Sequence, residues 1–163
     1  MDLEQESPPA GQLQDRLAVR IFTLCDHAVV PPDGKLYIHG AGVHTLYAGQ
    51  IPGPLRSLYL VVRLSIPWHM LGEPHTVKIQ ALDLDRRPIS PTDPMITTPF
   101  ELGRPAGHRP GDESAINICA ELNGLTIQQP MTIRFHLLLD DEPIASLPLK
   151  VIEMPTPVSV AAR

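Results

Sequence analysis

Seven histidines are the residues of this chain that most readily suggest chemistry, and three of them, His27, His39 and His44, fall within one short stretch. Neutral imidazoles bind zinc and related divalent ions, and Asp26 or Asp33 would add a carboxylate to such a set. The spacing resists it. No His-x-His, His-x-x-x-His or Glu-x-x-His occurs, and a separation of five puts His39 and His44 on opposite faces of an unbroken strand. Only a bulge at Gly40 and Gly42 would turn them together. The competing reading is a set of imidazoles scattered over a surface.

A second candidate is the loop GRPAGHRPG, residues 103–111, where Arg104, His108 and Arg109 alternate with glycine and proline. Exposed backbone N–H groups and two guanidinium forks suit a carboxylate or phosphate. The same composition also makes a stiff, solvated connection. Neither GxGxxG nor GxxxxGK[ST] is present, so no phosphate-cradling loop is recognised. Asp83, Asp85 and Asp93 have the composition of a loose calcium site but lack the regular ligand ladder of an EF-hand. Cys119 alternates onto the face of Asn117 and Glu121, and a neighbouring carboxylate disfavours the thiolate that nucleophilic catalysis needs. Finally, Trp68, His69, Met70 and Leu71 follow Pro67 as an apolar corner. If exposed it is an anchor for a protein contact; if turned inward it plugs the edge of the core.

Composition narrows the classes further. The formal net charge is −5 and no block of Lys and Arg exists, which argues against nucleic-acid binding. The longest apolar run, residues 58–66, is interrupted by Arg63 and is far shorter than a bilayer requires. The acidic, polar start MDLEQESPPAGQ does not resemble a secretory signal. A cytoplasmic location with no membrane association is therefore expected, with Cys25 and Cys119 as free thiols.

What positions these residues is a set of strands. Nineteen prolines, more than twice ordinary usage, break every candidate helix of three turns. Period-two alternation recurs instead, at residues 57–66, 75–84, 115–122, 131–139 and 144–153. The first two of these are expected to form a hairpin. Asp140-Asp141 sits where a two-residue turn belongs, and Pro148 argues for an edge position or a bulge in the last strand. Residues 17–25 read as a central strand. A Pro31-Pro32-Asp33-Gly34 turn then precedes a partner strand at 35–41, and residues 97–102 suit one more short strand. The expected architecture is all-β, a two-layer antiparallel β-sandwich of about 8–9 strands. It is immunoglobulin-like, with a jelly roll or open barrel as the alternative. Residues 1–16 read as a flexible leader, 17–154 as one sandwich domain and 155–163 as a flexible tail.

The run CDHAVVPPDGKLYIHGAG, residues 25–42, resembles the opening of an uncharacterised bacterial family, a domain of unknown function with a DGKL-x-I-x-G-x-G motif. LYLVVRLSIPW (58–68), HTVKIQALDLD (75–85), the 103–111 loop and LLLDDEPIASLPLKV (137–151) continue the similarity over roughly residues 17–153. This chain departs from it with Arg86-Arg87 after Asp85, where a glycine would close the turn, and with a proline-rich insert at 89–99. The resemblance implies one compact β domain and carries no activity or functional residues. The function expected from the sequence is a non-enzymatic binding or interaction protein with no cofactor. Its partner would be an unidentified protein or a second copy of itself, held through the Pro67–Pro74 loop or the strand bearing Pro148. The alternative is an anion- or metal-binding domain.

Overall fold

The computed structural model describes residues 17–112 and 114–154. The expected leader and tail lie outside the described residues. Twelve strands follow in order among them: β1 (Ala18–Cys25), β2 (His27–Val29), β3 (Tyr37–His39), β4 (Thr45–Ala48), β5 (Gly53–Pro54), β6 (Leu58–Ile66), β7 (Pro74–Leu82), β8 (Ile96–Glu101), β9 (Ser114–Leu122), β10 (Thr126–Ile127), β11 (Met131–Leu139) and β12 (Glu142–Glu153). One 3-10 turn, Trp68–Met70, is the only helical element among the described residues. No helix there is long and apolar enough to cross a membrane, a statement about helices alone.

The expected all-β sandwich is present, with sheets curled towards an open barrel. One sheet has the order β1-β6-β9 and the other β4-β12-β11-β7-β8, while β5–β10 and β2–β3 are small two-stranded additions. These short pieces account for the strands beyond the eight or nine expected. Alternation puts Leu58, Leu60, Val62, Leu64 and Ile66 of β6 on the inner face, all fully buried. They meet Val77 and Ile79 of β7, Ile133, Phe135 and Leu137 of β11, and Leu149 and Val151 of β12 in one core. Val61 is buried on the opposite face of β6, beneath the β2–β3 hairpin, where it packs with Cys25 and Ala28.

Two expectations about pairing are corrected, and a third, the edge position of Pro148, holds only locally. The strands read as a 57–66/75–84 hairpin lie in different sheets, because β6 pairs with β1 and β9 while β7 pairs with β11 and β8. Pro67 and the 3-10 turn after it carry the chain from one layer to the other instead of folding it back. The architecture is also not wholly antiparallel, since β4 runs parallel to β12, with Thr45 opposite Lys150 and Ala48 opposite Glu153. The chain leaves the first sheet at the end of β1, where the Gly42 and Val43 N–H groups both donate to the Leu24 carbonyl at 3.0 and 3.2 Å, and enters the second sheet alongside β12. Such a pairing needs a long connection, which the intervening chain provides. The strand bearing Pro148 is not an edge along its whole length. It lies between β11 and β4, but β4 reaches only Lys150–Glu153, so Pro148, opposite Arg134, sits where the other side is open. The Asp140-Asp141 turn is present, with both residues at positive φ (49° and 71°), as a type I′ hairpin requires.

Candidate functional site

The sandwich is closed on one side, where β1 lies against β12, and open on the other, where β8 and β9 end their respective sheets. Edge strands expose unpaired N–H and C=O groups, and folded proteins normally blunt them. The edge strand β8 carries Pro99, and β4 is only four residues long. The register of β1 shifts between Val19 and Ile21, and its Leu24 carbonyl is taken by Gly42 and Val43. The β9 edge has none of these devices: nine residues, SAINICAEL, with no proline, no lysine and an unbroken register against β6. Its outward backbone groups have no strand beside them among the described residues.

The neighbourhood of this edge is built by the β2–β3 hairpin. Gly34 at φ +75° closes the Pro31–Gly34 turn, donating its N–H to the Pro31 carbonyl at 2.9 Å. The Asn117 side chain of β9 then holds the turn, its Nδ2 donating to the Gly34 carbonyl at 3.0 Å while its Oδ1 accepts from Arg63 at 3.0 Å. At the other end of the hairpin His27 sets its ring edge against Tyr59, with centroids 4.8 Å apart. The Gly40 Cα packs against the Asp26 carboxylate, which is ion-paired with Arg56, and at φ +65° the position favours glycine. The hairpin is thereby fixed over the outer face of the first sheet. Between it, the β9 edge and β8 runs a cleft of ≈ 550 Å³, walled by Ala28–Val30 on one side and Thr98–Phe100 on the other, with Ile116–Cys119 along its floor. None of its lining residues is charged.

The residues singled out in the sequence are placed as follows. His27 and His39 face each other across β2–β3, with ring centroids 6.4 Å apart, whereas His44 turns away and bonds the Gly42 carbonyl through Nδ1 at 2.9 Å. Among the described residues no group of three or more His, Cys, Asp or Glu converges to hold a metal. Arg104 lies over the Trp68 ring, 5.4 Å from its centroid. The His108 Nδ1 is 3.5 Å from Ser114 Oγ, and the Arg109 backbone N–H donates to Asp112 Oδ2 at 2.7 Å, so the three residues of the anion candidate have separate partners. In the apolar corner Leu71 is fully buried and Trp68 and Met70 pack against the core, leaving His69 exposed; the corner is chiefly a plug. Cys25 and Cys119 are free thiols. They lie on β1 and β9 with β6 between them, opposite Tyr59 and Val61. That is two strand spacings, about 9.6 Å, beyond the reach of a disulfide. Burial pushes both thiols up from their ordinary values, with each other's proximity adding to it for Cys119.

Sequence reasoning missed a His–Asp pair. His75 is buried at the start of β7, with Nδ1 2.7 Å from Asp140 Oδ2 and Nε2 3.0 Å from the Met70 carbonyl. Both partners are acceptors, an arrangement that favours the doubly protonated ring, in which both nitrogens donate. Burial works to lower its pKa, but the Asp140 and Met70 hydrogen bonds outweigh it and hold His75 above its ordinary value. For Asp140 burial works upward, and the bonds from His75 and the Thr76 N–H (2.8 Å) hold it below the usual carboxylate range. With no free ring nitrogen, this pair is a clamp joining the 3-10 turn, β7 and the β11–β12 turn, not a base. The parity of Val77 and Ile79 was the available signal, since it places residue 75 on the inner face.

A family model described as a family of unknown function (DUF6941) matches residues 20–152, which bears out the expected resemblance at that level. No curated protein matches the sequence. Among solved structures, the Pseudomonas fluorescens alkylpurine DNA glycosylase AlkC bound to DNA containing an abasic site analog is similar over 83% of this chain and 30% of its own, at 12% identity and a TM-score of 0.37. The chain therefore spans under a third of the length of that structure.

Proposed function

The chain belongs to the family of unknown function DUF6941, and we propose that it is a protein-interaction domain that accepts an extended segment of another protein as an added strand along β9. One observation carries this reading: a nine-residue edge without proline or lysine has no strand beside it among the described residues and lies at the floor of a neutral cleft. An added strand would pair its backbone with the outward groups of β9 and set its side chains alternately against the two walls. Cys119 lines the cleft and is half-buried, which gives the reading a chemical handle. A photo-crosslinker attached there should capture a protein from an extract of the native host. Val29→Glu, which puts a charge on the exposed wall residue of β2, should abolish that capture without loss of fold. Capture that survives Val29→Glu would show that the cleft is not the docking surface.

A further inference from the structure

We infer that the segment accepted by β9 is uncharged through its middle and carries a basic residue at each end, and that it belongs to another protein, not to a second copy of this chain. The inference rests on the strand-accepting reading of β9. Although 19% of the chain's residues are charged, the cleft's lining has none. Towards the core an added strand would meet Ile116, Ile118 and Phe100; towards the outer face it would meet Val29, Tyr59 and Asn117. A charge in the middle of the segment would leave water without gaining a partner. The ends differ. Glu121 continues β9 two residues past Cys119, and Glu101 continues β8 directly past Phe100, both exposed. Hydrogen bonds from Ser57 and Asn123 hold the Glu121 carboxyl below the usual range, so it is ionised at neutral pH.

Charge complementarity therefore favours a segment with lysine or arginine at its flanks. A second copy would bring the same two rim carboxylates and another net charge of −5 to the contact, juxtaposing like charges.

The test uses the full chain and synthetic nine-residue peptides that alternate valine and threonine. One has lysine at both ends, one has glutamate at both ends, and two are lysine-ended but N-methylated on one or the other alternate set of amides. Binding is read by fluorescence anisotropy of the labelled peptide and by slowed alkylation of Cys119. The lysine-ended peptide should bind roughly tenfold more tightly than the glutamate-ended one, as two exposed ion pairs allow. The E101K/E121K double variant should reverse that order, and one N-methylated frame should lose binding while the other keeps it. Equal binding of both charge types, with one N-methylated frame still inactive, overturns the charge inference and leaves the edge reading standing. Binding by neither peptide, or by both N-methylated frames as well as by the parent, overturns the edge reading and the inference with it. A dimer in light scattering that Val29→Glu dissolves assigns the edge to a second copy and overturns the donor stated here.

Discussion

His75 shows how one side chain can tie three elements together through protonation. Its imidazolium form is favoured on folding, so its contribution is complete below the ordinary histidine value of 6.5 and is lost as pH rises through the higher folded value. Asp140 titrates below its ordinary 3.8, so its contribution is present above that value and is lost as pH falls through the folded one. Stability against urea should therefore form a plateau between roughly pH 4 and 6.5 and decline on both sides. Asp140→Asn should flatten both limbs and cost about 1–2 kcal/mol on the plateau, a figure reduced for the partial exposure of the pair. A variant that keeps the wild-type pH profile would show that another group sets it. Gly40→Ala is the second change to make at this scale. Its Cβ would collide with the Asp26 carboxylate at a positive φ, so a loss above about 1 kcal/mol is expected in thermal unfolding. The thiols give a third. At neutral pH Cys119 should react slowly with alkylating agents and Cys25 not at all, and unfolding midpoints should be the same with and without reductant.

At the level of elements, the sequence was informative about faces and silent about neighbours. Leu58, Leu60, Val62, Leu64 and Ile66 could be assigned inward from alternation alone, and so could Ile133, Phe135 and Leu137; all are fully buried. Alternation says nothing about which strand lies alongside, because an edge strand and a central strand with one wet face have the same period. That is why β6 and β7 looked like a hairpin, and why nothing in SAINICAEL marked β9 as an edge. Asn117 was equally opaque: its value lies in reaching Gly34, eighty-three residues away. The β2–β3 hairpin was displaced for a related reason. Its turn was plain in Pro31–Gly34, but its first strand is the three-residue β2 and not β1, too short a run to show a period. Packing magnitudes can be tested here. Phe135→Ala should cost about 3–5 kcal/mol, as expected for an aromatic side chain removed from a fully enclosed site. Val29→Glu, on an exposed wall, should stay within about 0.5 kcal/mol of wild type.

Across the whole molecule the two sides of the sandwich are unequal. On one, β1 lies against β12; on the other, β9 runs between two walls with no strand beside it among the described residues. The pairing of β4 with β12 also has a kinetic side. Thr45 waits for Lys150, roughly a hundred residues further along, and at usual synthesis rates that delay is on the order of 5–20 s. Folding dominated by such distant partners belongs to the slow, millisecond-to-second class. During synthesis the second sheet cannot close until the last strand has emerged, so β4 and the β9 edge are exposed together on the ribosome. Chains stopped before β12 should therefore be captured by chaperones or aggregate, even though every strand of the first sheet has already been made.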